Sequence, residues 1–187
     1  MKVFCKLALG YDHYHLFRDA MQLRRDLPEF EKIDFDLSKW RLRVEGLVRH
    51  SLSLRYEEIE KLPNVSLTQD FQCLEGWVVT DVLWLGVRVS SVCNLAELKP
   101  EAASVMFSSG NFSTVVPISK ALEDLTILAL SMRGKALDQY HGGPVRLVFN
   151  GQECYDSVKS VDSVKVLASQ IEGTAKGIAL SRLANRS

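Results

Sequence analysis

The sequence predicts an α+β fold, mixed but mainly β. Three observations carry the prediction. Apolar residues fall in short runs that alternate with polar ones rather than recurring at helical spacing. Gly, Asn, Ser and Pro clusters break these runs every few residues. The segments with helical spacing are short, which argues against a doubly wound parallel sheet.

The elements follow in order. Tyr14, Phe17 and Met21 make a helical stripe over residues 11–26, and Pro28 ends it. Residues 1–29 are read as an N-terminal extension packed on the body. Trp40 to Val48 alternates as a half-buried strand, with Gly46 a bulge or bend. Ser53 is placed as the cap of a short helix over residues 54–62, with Glu57 and Glu58 in its first turn and Pro63 as its stop. Residues 65–71 form a strand that leads into Cys73. Residues 88–97 form a short helix with Val89, Val92 and Leu95 inward.

Ala103–Phe107 and Phe112–Val116 are two strands joined at Ser108-Ser109-Gly110-Asn111. Ile118–Leu122 is a helical turn and Thr126–Ser131 a buried strand. Tyr140-His141-Gly142-Gly143-Pro144 is a sharp loop. Val145–Phe149 is a strand whose only charge is Arg146, turned by Asn150-Gly151. Ser157-Val158-Lys159 lies in the next loop, and Val161–Leu167 is a last strand. Residues 30–167 are the expected domain, and 168–187 a polar tail with a weak helical pattern.

Bulk composition narrows the function. Lys+Arg and Asp+Glu are both 23, so the net charge of zero gives no support to a nucleic-acid binder. No run approaches the roughly 20 apolar residues of a membrane span, so the chain is not expected to be an integral membrane protein. Cys5, Cys73, Cys93 and Cys154 form no CxxC pair and no zinc-finger spacing. They read as reduced thiols, and with a poor signal peptide they place the protein in the cytoplasm.

Two places carry chemistry. Cys73 sits at a strand end before the Glu75-Gly76-Trp77 corner, where a thiol can face a cleft. Packing is the commoner role for such a cysteine; a soft-metal thiolate is the other. Arg146 shares a strand face with Val148, opposite Val145 and Leu147. Buried there it needs an anion, either a structural carboxylate or a ligand. The glycines and His141 before it, and Ser157 and Lys159 after it, are the equipment for a phosphate. Neither a P-loop nor Gly-x-Gly-x-x-Gly occurs. A cofactor carrying both a soft metal and a phosphate would unite the two places; molybdopterin with its molybdenum is one.

Five motifs, in order and spacing, carry a resemblance: Trp40-Arg-Leu-Arg-Val-Glu-Gly46, Cys73-Leu-Glu-Gly-Trp77, Leu83-Trp-Leu-Gly-Val87, His141-Gly-Gly-Pro-Val-Arg146 and Ser157-Val-Lys159. From about Phe30 to Leu167 the chain resembles the molybdopterin-binding domain of the sulfite oxidase superfamily. It is most similar to the branch with the catalytic subunit of the protein-methionine-sulfoxide reductase. The resemblance implies a molybdenum–molybdopterin cofactor and an oxygen-atom transfer with a small S- or N-oxide, electrons passing to a partner protein. It implies Cys73 as the molybdenum ligand and catalytic residue. It implies His141, Arg146, Ser157, Val158 and Lys159 as pterin and phosphate contacts.

The departures are specific. Ser160 replaces an aromatic residue, Asp156 a lysine and Cys154 a glycine. The Leu74-Glu-Gly-Trp77 run after Cys73 holds no arginine, and neither the later dimerisation domain nor a haem domain is expected within these residues, so sulfite is not implied. The altered loop leaves a second reading open, a non-catalytic molybdopterin- or anion-binding module. Glu75 has two readings, a turn carboxylate or a proton donor. Cys154 also has two, packing or a second thiol near the cofactor.

Overall fold

The computed structural model describes residues 21–29 and 32–185. They form two β-sheets with short helices at the periphery, the mainly β α+β fold expected. The first sheet has β1 (Gln22–Arg24), β4 (Asn64–Cys73), β5 (Trp77–Arg88), β8 (Thr126–Met132), β9 (Lys135–Ala136) and β10 (Arg146–Phe149). The second runs β3 (Leu52–Leu54), β2 (Leu42–Gly46), β11 (Ser163–Leu167), β6 (Ser104–Ser109) and β7 (Phe112–Pro117). Pairing is antiparallel except β1 with β5 and β11 with β2.

β5 organises the first sheet. Its twelve residues pair with β4 along most of their length, with β1 at Trp77–Val79 and with β8 at Trp84–Arg88. Sequence reading assigns no strand here. Asp81–Gly86 alternate in burial, but the exposed Leu83 and Leu85 are themselves apolar, so the sequence shows no apolar–polar period. β10 does alternate as expected. Val145, Leu147 and Phe149 join the main core with Val44, Phe107 and Val164. Val148 joins a second core with Phe71, Trp77 and Trp84 on the other face of the sheet. Arg146 therefore lies on the side of the second core.

Four expectations change. The helical stripe over 11–26 falls partly outside the described residues, and Gln22–Arg24 form a strand, because their backbone completes the edge of β5. Ser53 caps nothing; it pairs with Arg43 inside β3. The helix α1 (Tyr56–Glu60) starts after Arg55, whose N–H donates to Glu58 Oε2 at 2.8 Å. In α2 (Val89–Ala96) Leu95 is exposed, and Cys93 and Ala96 complete the inward face with Val89 and Val92 at helical spacing. Residues 168–187 contain a defined helix, α4 (Thr174–Ala184), which follows the single turn α3 (Ile118–Ala121) and packs against β7 and a 3-10 turn at Cys154–Asp156.

Candidate functional site

A cleft of about 450 Å³ opens between the end of β4, the 3-10 turn, the β6–β7 hairpin and α4. Cys73 is the last residue of β4 and pairs with Trp77 of β5 across a turn closed by Gly76 N–H to the Cys73 carbonyl at 3.0 Å. Gly76 has φ +87, which only glycine adopts without strain. The turn aims the half-buried Cys73 thiol into the cleft.

Cys154 meets it there, and neither forms a disulfide. The two thiols line the cleft side by side as hydrogen-bonding partners. That bond, more than burial, holds the Cys73 proton in place and raises its pKa. The same bond pulls Cys154 down to about 7. The pair behaves as one unit, losing its first proton more readily than a lone thiol and its second less readily. A bound cation reverses the second cost, because it replaces the proton.

Arg146 forms one wall. It is 1% exposed, and burial lowers its pKa to about 10 against a smaller opposing pull from Cys154. Its Nε donates to Ser157 Oγ at 2.8 Å and an Nη donates to the His141 carbonyl at 3.0 Å. The guanidinium lies over the rings of Phe71 and Trp84 at 5.1 and 5.2 Å. Among the described residues no carboxylate forms an ion pair with it. A buried cation so placed suits an anion that enters from the cleft.

The structure brings Cys73, Arg146, Ser157 and Lys159 to one cleft. Ser157 is buried, accepts from Arg146 and donates to the Leu147 carbonyl at 2.9 Å. Lys159 lies along the cleft with its stem against Gly142. His141 contributes its carbonyl, but its ring points elsewhere: Nδ1 lies 2.8 Å from Asp138 and Nε2 3.3 Å from the Leu27 carbonyl. The ring borders a separate cavity of about 250 Å³ with Asp26 and Arg133. Val158 is fully buried in the main core, and its N–H donates to the Asp156 carbonyl at 2.9 Å.

Three features escaped sequence reasoning or were weighed lightly there. Cys154 reads in the sequence as a glycine replaced, with packing or a second thiol near the cofactor as its two roles, and its meeting with Cys73 was not foreseen. Arg182, Ile178 and Leu183 reach the cleft from α4, whose pattern is too weakly amphipathic to have been read. Phe71 was visible as a strand residue, not as the ring under Arg146. The other departures have structural partners. Asp156 accepts from Thr114 Oγ1 at 2.7 Å, and the Ser160 hydroxyl donates to the Gly143 carbonyl. Glu75 is exposed at the turn and accepts from the Trp77 indole at 3.3 Å.

The family model of the oxidoreductase molybdopterin-binding domain matches residues 29–175. The uncharacterized oxidoreductase YuiH of Bacillus subtilis is 34% identical over 125 residues, 66% of this chain and 61% of that protein. The protein-methionine-sulfoxide reductase catalytic subunit MsrP of Campylobacter jejuni is 25% identical over 194 residues, 94% of this chain and 64% of its own. The chain thus spans less than two thirds of the length of these relatives. The sulfane dehydrogenase SoxCD of Paracoccus pantotrophus superposes with a TM-score of 0.71 at 24% identity, over 76% of this chain and 42% of its own, a likeness of fold.

Proposed function

The chain belongs to the oxidoreductase molybdopterin-binding domain family, and from that premise we propose that it is a molybdenum–molybdopterin oxidoreductase acting on a small S-oxide or N-oxide. The observation that carries the reading is the pairing of a cleft thiol with a buried guanidinium that has no carboxylate partner among the described residues. The donor set fits the cofactor: a thiolate for a soft metal, and Arg146 with Lys159 for a phosphate. Gly142 and Gly143 let the loop lie close enough to present them.

When bound, the cofactor supplies the redox and oxygen-transfer chemistry. The protein's residues do the rest. Cys73 holds the metal from a strand end fixed by β5. Arg146 is oriented by the Ser157 hydroxyl and the His141 carbonyl and neutralises the anionic group. Phe71 beneath the guanidinium and α4 across the cleft limit water. Electrons pass to a partner protein. The reduced thiol pair suits a reducing compartment such as the cytoplasm. The domain proper is taken as 30–167, with the flanking segments as extensions of it.

The altered loop is one ground for the non-catalytic reading. Asp156 and Ser160 there hold structural bonds to Thr114 and Gly143, so the changes rebuild the loop without dismantling the cleft. The test uses full-length protein from a host that makes the cofactor, measuring molybdenum by elemental analysis and oxidised pterin by fluorescence. Both are expected in stoichiometric amounts, and absence of both sinks the reading. Dye-linked reduction of a panel of S-oxides and N-oxides then separates enzyme from binding module, since no turnover of any member favours the module.

A further inference from the structure

The cleft is lined by two thiols, Cys73 and Cys154, 81 residues apart in the chain and both packed on the second core. We infer that Cys73 and Cys154 form a two-thiolate soft-metal site, in which Cys154 is a second protein ligand to the metal end of the cofactor. The cofactor's identity rests on the function proposed above; the thiol pair does not.

Four observations converge. Cys73 and Cys154 line the same cleft and pack on the same second core, as two ligands of one ion must, since metal–sulfur bonds of about 2.3 Å at a tetrahedral angle set the sulfurs about 3.8 Å apart. Both sulfurs are also held before any metal arrives. Cys73 ends β4 in register with Trp77. Cys154 sits in a 3-10 turn closed by the Asp156 N–H to the Glu153 carbonyl at 2.9 Å and tied to β7 by Thr114. Preorganised ligands bind without an ordering cost.

The third observation is charge. Arg146 lines the same cleft, buried and without a carboxylate partner among the described residues, so it offsets the negative charge that two thiolates bring. The fourth is the ligand count. No group of three or more His, Cys, Asp or Glu side chains that could hold a metal occurs among the described residues. The pair cannot close a structural site by itself, which leaves positions for ligands from outside the chain. Thiolates select a soft metal and suit the sulfur-rich end of a dithiolene cofactor.

The test is made in full-length protein carrying Cys5→Ala and Cys93→Ala. In cofactor-loaded protein, X-ray absorption at the molybdenum edge counts sulfur neighbours. The expected result is one fewer sulfur in Cys154→Ala and in Cys154→Ser, the latter keeping the volume of the turn. An unchanged sulfur count in both overturns the inference while leaving the proposed function intact. Protein with neither molybdenum nor pterin sinks the proposed function, and the pair is then judged on reduced apoprotein titrated with cadmium ion. A thiolate-to-cadmium absorption band is expected at one ion per chain, with affinity at least about tenfold weaker after loss of either thiol. Equal affinity in Cys154→Ala overturns the inference in that case too.

Discussion

Arg146 and Ser157 are bonded side chain to side chain across eleven residues of sequence, the guanidinium Nε donating to the hydroxyl at 2.8 Å. The hydroxyl in turn donates to the Leu147 carbonyl at 2.9 Å. The bond exists because the 157–161 segment doubles back on the 142–147 segment. Leu147 N–H meets the Val158 carbonyl at 2.9 Å, Ser160 N–H the Gly142 carbonyl at 2.9 Å and Val161 N–H the Val145 carbonyl at 2.8 Å. The loop holds the cation in place, and the cation has more to gain from a ligand than from the fold.

That imbalance gives a prediction with two opposite signs. Burying the Arg146 charge costs the apoprotein, as its pKa of about 10 reflects. Replacing a buried ion pair with apolar side chains is often neutral, or stabilising by about 1–4 kcal/mol, and here no carboxylate among the described residues would be left without its partner. Arg146→Met is expected to leave the urea midpoint of the apoprotein unchanged or higher. Cofactor retention should fall more than about tenfold, in line with losing a buried charge partner. A large drop in apoprotein stability would mark the guanidinium as a structural group instead.

Gly142 is a second point of leverage. It has φ +93, and a Cβ there would stand 2.8 and 2.9 Å from the Lys159 stem and 3.2 Å from Arg146 Cδ. Gly151 has φ +77 but open space around it. Gly151→Ala therefore reports backbone strain alone, of about 1–3 kcal/mol, whereas Gly142→Ala adds a steric clash. Urea melts should rank Gly142→Ala as the more damaging, and its pterin content should fall with it. Equal effects would show that the Lys159 stem yields at no cost.

The loop is also tied to pH. The Asp138 carboxylate accepts from the backbone N–H of Tyr140 and of His141, each at 2.9 Å, and from the His141 ring at 2.8 Å. Partial burial alone would lift its pKa, but these bonds outweigh it and hold the carboxyl below its usual 3.8. The sign follows from that depression. The charged form is favoured in the fold, so its contribution is complete above the unfolded pKa and disappears as pH falls through the folded one. The melting temperature should therefore drop more steeply below about pH 4 than it does in Asp138→Asn. Parallel acid limbs in the two proteins would exclude the role.

Sequence alone exposed the strand that ends at Cys73, the alternation of β10 and the β6–β7 hairpin, because each has a two-residue period bounded by turn residues. It missed β5, where the exposed face carries Leu83 and Leu85 and so shows no apolar–polar period. It put Leu95 inward because one helical turn admits two neighbouring phases. The site was legible as residue types at motif spacing, Cys73 and Arg146 above all. Orientation was not legible. Whether the His141 ring faces the cleft or Asp138 depends on a loop conformation that no spacing encodes. The meeting of Cys154 with Cys73 depends on the 3-10 turn, which Thr114 positions from another sheet.

The C-terminal helix offers the last test, because one residue anchors it. Thr174 Oγ1 donates to the Asn111 carbonyl at 2.6 Å and accepts from Ser113 N–H at 2.9 Å, while its own N–H donates to Ser113 Oγ at 3.2 Å. These bonds join the start of α4 to the β6–β7 hairpin. Thr174→Val keeps the shape and removes the hydroxyl, leaving the Ser113 N–H without its acceptor at a cost of about 1–3 kcal/mol. The loss is local, since the helix contributes one fully buried residue, Ala175. Hydrogen exchange should quicken across residues 174–184 and stay unchanged in β5 and β8. Arg182 and Ile178 leave the cleft when the helix opens, so bound pterin should be released faster from the variant. Unchanged protection of the helix amides would show that packing on β7, and not the Thr174 hydroxyl, holds α4 over the cleft.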